Sequence, residues 1–259
     1  MNNIKFYKYQ GTGNDFVMID NRDGSFPASQ EYIEHLCHRR FGIGADGLIL
    51  LQNDAEYDFR MVYYNADGRE GSMCGNGGRC TVRFAEDLGI FKENTKFIAV
   101  DGEHTAQANK KVISLKMGEV HSLERHEAYD FMNTGSPHYV AYITDIETFD
   151  VFSAGKKIRY SAEWVARGGT NVNFVEILSD DTIYVRTYER GVEDETYSCG
   201  TGVTASALSA FLRHGIKSPI NVITKGGNLQ VSFGRRTVSE DFTDVHLIGP
   251  AVKVFDGTL

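Results

Sequence analysis

Apolar positions along this chain fall mostly into short alternating runs, with helical stripes at only a few places. Ile4 to Tyr9 and Phe16 to Asp20 read as strands on either side of the turn Gln10-Gly11-Thr12-Gly13-Asn14-Asp15. Tyr57, Phe59, Met61 and Tyr63 alternate as in a half-buried strand, and further strands are predicted at Phe97 to Val100, Thr105 to Ala108 and Val112 to Met117. In the second half, Tyr139 to Ile143, Asn173 to Ile177 and Ile183 to Tyr188 have the same character. Three segments carry helical spacing. Gln30 to Arg39 presents Ile33, Leu36 and Cys37 on one side, Gly78 to Leu88 is stopped by Gly89, and Gly202 to Arg213 is ended by His214-Gly215. Four short strand candidates follow the last helix, and no Gly/Ser linker or low-complexity segment divides the chain.

Set side by side, the two halves repeat a motif. One reads Glu70-Gly71-Ser72-Met73-Cys74-Gly75-Asn76-Gly77, the other Glu195-Thr196-Tyr197-Ser198-Cys199-Gly200-Thr201-Gly202. Both fit E-x-x-x-C-G-x-G, both follow a strand-like run, and both lead into a helix that ends on glycine (Gly89, Gly215). Two such matches in matching context point to an internal duplication, with two similar domains that each present one cysteine.

A cysteine at a helix start has a specific chemistry. The first turn leaves N–H groups without helical partners and carries the positive end of the macrodipole. A thiol there loses its proton more readily than its reference pKa of about 8.5 implies. The neighbouring glycines let backbone come close to a ligand, and the same N–H groups can hold a carboxylate. Two motifs of this kind suit inversion of a stereocentre by proton exchange, which needs a base on one face of a carbon and an acid on the other. Fixed N–H donors would stabilise the charge that develops on the neighbouring carboxylate. Cys37 and Cys80 lie inside predicted helices without a repeated context and read as core residues.

Composition narrows the remaining classes. The chain has 259 residues, 41% of them hydrophobic, which is enough for one large core or two moderate ones. Lys plus Arg number 27 against 35 Asp plus Glu, a formal charge of −8, and no basic stretch supplies a nucleic-acid footprint. Apolar runs such as Leu48 to Leu51 are too short to span a membrane, and Met1-Asn2-Asn3-Ile4-Lys5 lacks the apolar segment of a secretory leader. A cytoplasmic location is the expectation. The 4 cysteines have neither the spacing of a disulfide framework nor a C-x2-C zinc pattern, so no metal site is expected.

The runs Gly11-Thr12-Gly13-Asn14-Asp15-Phe16, Asn65-Ala66-Asp67-Gly68, Met73-Cys74-Gly75-Asn76-Gly77-Gly78-Arg79-Cys80, Tyr188-Glu189-Arg190-Gly191 and Cys199-Gly200-Thr201-Gly202 resemble the diaminopimelate epimerase family over essentially the whole chain. The resemblance implies an α+β fold of two pseudo-symmetric domains, each a curved, mostly antiparallel sheet around a central helix. The first would hold residues 1–118 with 250–259 and Cys74, the second residues 119–249 and Cys199. It implies an active site between them, interconversion of LL- and meso-2,6-diaminopimelate without pyridoxal phosphate or metal, and a homodimer. Carried over residue by residue, Cys74 and Cys199 are the acid–base pair, and Gly75, Asn76, Gly200 and Thr201 hold the reacting carboxylate. Asn14, Asn65 and Asn171 contact substrate, Arg190 pairs with its distal carboxylate, and His138 and Glu189 set the protonation of the thiols.

Two positions depart from the family pattern. Gly47 stands where some members carry Gln, and Ser136 where Asn is common, which puts details of substrate contact in question and leaves the thiols untouched. A proline or hydroxyproline racemase would use the same two thiols. Such enzymes place His after the first C-G, where this chain has Asn76, and carry a D-x-S-P-C-G-T-G-like run that is absent here. From another class come a thiol redox switch and a non-catalytic binding module; a redox protein has no need for a second glycine-cradled anion site. Assaying both substrates separates the two racemase readings. Solvent deuterium entering the substrate α-carbon only when both thiols are reduced separates them from the redox switch and the binding module.

Overall fold

The computed structural model describes residues 4–121, 123–236 and 241–259. Met1 to Asn3, part of the stretch read above for a leader, lie outside them. The chain divides into two compact units, Met1–Leu115 with Gly249–Leu259, and Lys116–Ile248. In chain order the elements are β1 (Lys5–Gly11), β2 (Asn14–Asp20), α1 (Gln30–Cys37), β3 (Gly47–Gln52), β4 (Phe59–Asn65), α2 (Gly75–Asp87), β5 (Asn94–Ala99), β6 (Gly102–Ala108) and β7 (Ile113–Lys116). They continue with β8 (Leu123–Arg125), β9 (Asp130–Asn133), β10 (Pro137–Tyr142), α3 (Val151–Arg159), α4 (Ala162–Ala166), β11 (Asn171–Ile177), β12 (Thr182–Glu189) and β13 (Asp194–Thr196). The last are α5 (Gly200–His214), β14 (Ile220–Thr224), β15 (Gly227–Arg235), β16 (Phe242–Gly249) and β17 (Val252–Thr258), the final strand pairing with β1.

The fold is α+β, and the two units follow one plan. In the first, β1–β2 is antiparallel, β2–β3 parallel, β3–β4 antiparallel, β4–β5 parallel, and β5–β6 and β6–β7 antiparallel. In the second, β9–β10, β10–β11, β11–β12, β12–β14, β14–β15 and β15–β16 repeat that succession of directions. Each sheet wraps one helix: α2 packs on β1, β2, β3, β4, β6 and β17, and α5 on β9, β10, β11, β12, β14 and β15. The outer faces are covered by α1 in one unit and by α3 in the other. Val17, Ile19, Leu48 and Leu50 pack with Ile33 and Leu36 of α1, and Val172, Phe174 and Tyr188 pack with Val151 of α3.

Several elements differ from the sequence reading. β3 is absent from it because Gly47–Leu51 is buried on both faces, and a strand covered on both sides reads as a continuous apolar run. α1 ends at Cys37, short of Arg39, where the His38 N–H turns back to the His35 carbonyl. α2 begins at Gly75 and α5 at Gly200, each a few residues earlier than predicted. Glycine runs are poor helix formers, so propensity alone places these starts too late. α3 and α4 were not predicted; α3 starts on an Asp150 cap, and its apolar stripe, Val151, Ala154 and Ile158, is only two turns long, with Ala154 and Ile158 only partly buried. No helix among the described residues is long and apolar enough to cross a membrane.

Candidate active site

Both repeated cysteines are helix N-caps in extended backbone, Cys74 for α2 and Cys199 for α5. Helical hydrogen bonding begins with Gly78 N–H to the Cys74 carbonyl and Val203 N–H to the Cys199 carbonyl. The N–H groups of Gly75, Asn76, Gly200 and Thr201 therefore precede each helix's own ladder, where an anion can take them.

In the first unit the site grows from the β1–β2 turn. Thr12 (φ 51°) and Gly13 (φ 85°) both occupy the left-handed region, as a two-residue hairpin loop demands, and the turn sets Asn14 at the start of β2. Asn14 Nδ2 donates to Asp46 Oδ2 at 2.6 Å. A carboxylate only accepts, so the Asn14 amide is fixed with Oδ1 turned toward α2. There Oδ1 accepts from Asn76 Nδ2 at 3.3 Å and lies 3.9 Å from Cys74 Sγ. Asp46 is held in turn by Arg39 at 2.6 Å, and Arg39 and Lys8 both reach Asp15 at 2.7 Å. Burial works against the Asp15 charge, but hydrogen bonds from Arg39 and Lys8 outweigh it and hold its carboxyl at about 2.

Cys74 Sγ accepts the Gly77 N–H at 3.2 Å, so the sulfur itself caps α2. One turn on, the fully buried Arg79 donates to the Gly75 carbonyl and to Asn76 Oδ1, both at 3.1 Å, and to Thr12 Oγ1 at 3.3 Å. Burial brings its guanidinium down to about 10, so it stays charged at neutral pH. Asn14, Asn76 and Cys74 are thus tied together. Asn65 ends β4 opposite Gly47, and its backbone closes the turn to Gly68 and Arg69. A Cβ on Gly47 would stand 2.5 Å from both the Tyr63 ring and the Tyr64 carbonyl, which accounts for glycine at that departure from the family pattern. Burial pushes the Cys37 and Cys80 thiols up to about 12, so both behave as inert core sulfur.

In the second unit Cys199 is 7% exposed, and its Sγ lies 3.5 Å from Thr201 Oγ1. Below it, on β10, the fully buried His138 sets Nε2 at 2.8 Å from Thr201 Oγ1 and 2.9 Å from Ser136 Oγ. Its Nδ1 lies 3.1 Å from Asn173 Nδ2. Burial drives His138 down to about 3, so the imidazole is neutral at working pH. Ser136 Oγ also accepts from Asn171 Nδ2 at 3.1 Å, and Asn171 Oδ1 accepts the Arg190 N–H at 2.9 Å. The Arg190 side chain is exposed and donates to the Gly168 carbonyl at 3.1 Å, while Glu189 accepts from Thr196 Oγ1 at 2.9 Å. Cys199, Thr201, His138, Ser136, Asn171 and the Arg190 backbone form one connected group.

Asn173, Asp46 and Arg79 were not singled out from the sequence as site residues. For Asn173 a signal existed: Asn171 and Asn173 stand two apart in a strand and so share a face, here the one toward α5. For Arg79 one existed too, its place in the Met73–Cys80 run one turn from Gly75 and Asn76. For Asp46 none did, since its partners Asn14 and Asp15 come from another segment.

A family model described as diaminopimelate epimerase matches residues 6–123 and 131–253. The diaminopimelate epimerase of Flavobacterium psychrophilum is 52% identical over 261 residues, covering 99% of this chain and 100% of its own. That of Aquifex aeolicus is 40% identical over 278 residues, with 99% and 98% covered. Among solved structures, a phenazine biosynthesis protein of the PhzF family from Bacillus anthracis superposes with a TM-score of 0.79 at 13% identity, covering 100% of this chain and 99% of that one. A hydroxyproline epimerase from Agrobacterium vitis gives 0.68 at 12% identity, with 100% and 91% covered. At such identities these two structures speak for the fold alone.

Proposed function

The chain belongs to the diaminopimelate epimerase family, and from that premise we propose that it is an isomerase that interconverts LL- and meso-2,6-diaminopimelate. The reaction serves lysine and peptidoglycan precursor synthesis. One observation carries the chemistry: two units of one plan each offer a cysteine as the N-cap of a glycine-rich helix. One sulfur, as thiolate, removes the α-proton; the other, as thiol, delivers its proton to the opposite face of the same carbon. The C–H bond breaks at one face as a new one forms at the other, and the two sulfurs exchange protonation states.

The N–H groups of Gly75, Asn76, Gly200 and Thr201 take the reacting carboxylate and stabilise the charge that develops on it. Asn14, Asn65 and Asn171 contact substrate, Arg190 forks onto the distal carboxylate, and His138 and Glu189 tune the thiols. The two substrate ends are chemically alike, so anchoring the distal one decides which carbon meets the sulfurs. Two domains, 1–118 with 250–259 and 119–249, carry one thiol each. The enzyme works as a homodimer in the cytoplasm; the exposed Val252, Val254 and Phe255 on β17 support a self-association surface.

The test is an assay on LL-diaminopimelate in deuterated buffer with reduced enzyme. Meso product carrying solvent deuterium at the inverted α-carbon is the expected result. Turnover of proline in its place, or no isotope entry at all, overturns the reading.

A further inference from the structure

The buried group beneath Cys199 contains one residue with no assigned part, Asn173. Its amide can be oriented without reference to the histidine. Nδ2 lies 2.9 Å from the Tyr139 carbonyl oxygen, which only accepts, and Oδ1 lies 2.9 Å from Thr187 Oγ1, which can donate. Both ends of the amide agree. The nitrogen of Asn173 therefore faces His138 Nδ1 at 3.1 Å, and Nδ1 must be the acceptor. The imidazole is buried and neutral, so its one proton sits on Nε2.

We propose that Asn173 is a positioning residue that locks His138 in the Nε2–H tautomer and so directs a chain of hydrogen bonds from Asn173 through His138 and Thr201 to the Cys199 sulfur. His138 Nε2–H donates to Thr201 Oγ1 at 2.8 Å, with Ser136 Oγ as its second acceptor. Ser136 Oγ, facing donors from Asn171 and His138, has its own hydrogen left for Thr201 Oγ1 at 3.2 Å. Thr201, accepting from both Ser136 and His138, is left to turn its hydrogen toward Cys199 Sγ at 3.5 Å. Each donor in the chain points at the sulfur, an arrangement that favours the anionic form. The opposite tautomer would place two donors face to face at Nδ1 and a lone pair against the threonine. Asn173 is also locked by shape. A Cβ on Gly202 would fall 2.3 Å from its Oδ1, so the asparagine of β11 keeps this position only because α5 has a glycine over it.

The tautomer assignment stands on hydrogen bonding alone; its catalytic consequence rests on the epimerase reading. Long-range 1H–15N correlation on the labelled full-length protein at neutral pH reads the tautomer directly. The wild type is expected to show a pyrrole-type Nε2 and a pyridine-type Nδ1 for His138. Asn173→Asp, which puts an acceptor where a donor stood, is expected to protonate Nδ1. Asn173→Leu, which keeps the shape without the donor, is expected to mix the two tautomers. Both variants should lower kcat by about 10- to 100-fold, the scale of one hydrogen bond to a charged group, with KM changed by less than about threefold. A wild-type His138 with its proton on Nδ1 overturns the proposal even if neither variant folds. Wild-type kcat in a folded variant overturns the catalytic role. A wild type with the Nε2–H tautomer and no epimerase activity supports the tautomer lock and sinks the proposed function alone.

Discussion

The two helix starts are built on the same backbone plan over opposite floors. In the first unit the β2–β3 ladder opens with Phe16 opposite Gly47 and has Ile49 on its third rung; in the second, β10–β11 opens with His138 opposite Asn171 and has Asn173 there. A Cβ added to Gly77 of α2 would meet Cys74 Sγ and, from the strands below, the ends of Ile49 and Met61, at 3.3, 3.3 and 3.4 Å. At the matching Gly202 of α5 it would meet Asn173 and His138. One thiol therefore rests over hydrocarbon, with its sulfur capped by a backbone N–H. The other rests over a neutral, fully partnered polar chain. Duplication preserved the strand order and the caps, while the buried side chains diverged. A polar floor is tolerated only when every member is satisfied, and His138, Asn173 and Thr187 each have partners.

The largest effects should come from the sulfurs themselves. Cys74→Ala and Cys199→Ala are each expected to slow epimerisation by about 10²- to 10⁴-fold, the range of a lost acid or base, whereas Cys37→Ala and Cys80→Ser keep most activity. Steady-state rates in both directions check this, and full activity in either N-cap variant would remove the assigned role. Next comes the floor. Gly202→Ala should cost about 1–3 kcal/mol of stability, because the new methyl meets a side chain hydrogen-bonded on both sides. Gly77→Ala should cost less, since its methyl meets only the side-chain ends of Cys74, Ile49 and Met61, none closer than 3.3 Å, while the gain in helix propensity is common to both variants. Urea midpoints of the two variants make the comparison; equal losses would show that the floors do not differ in rigidity.

The smallest effect is a dependence on pH. His138 titrates near 6.5 in an unfolded chain but only at about 3 when folded, because burial excludes its charge. Below the unfolded value the unfolded chain takes up a proton that the native one refuses. Stability present above pH 6.5 is therefore lost progressively as pH falls toward 3. Between pH 7 and 5.5 the loss should be about 1 kcal/mol, and His138→Gln should flatten that part of the curve. The first unit has Phe16 on that rung, so its floor contributes nothing to this slope.

Much of the fold was legible because it is locally encoded. Alternation marked half-covered strands such as β4, short apolar runs next to turns marked β2 and β11, and glycines marked both helix ends, Gly89 and Gly215. β3 escaped because burial on both faces erases alternation, and α3 because its stripe of Val151, Ala154 and Ile158 spans only two turns. Cys74 and Cys199 stood out through repetition. Asn14, Asn65, Asn171, Arg190, His138 and Glu189 came only from the family likeness, since a lone Asn or His looks the same in a turn as in a site.

By itself the sequence determined where the two repeated cysteines are and that each would begin a helix. Caps and glycine turns are decided within a few residues. Only the tertiary structure decided the directions of the hydrogen bonds around them. Asp46, which turns the Asn14 amide, is 32 residues away from it, and Asn173, which faces His138, is 35 residues away. A donor or acceptor takes its orientation from whatever the fold sets opposite it, and no local pattern records that neighbour.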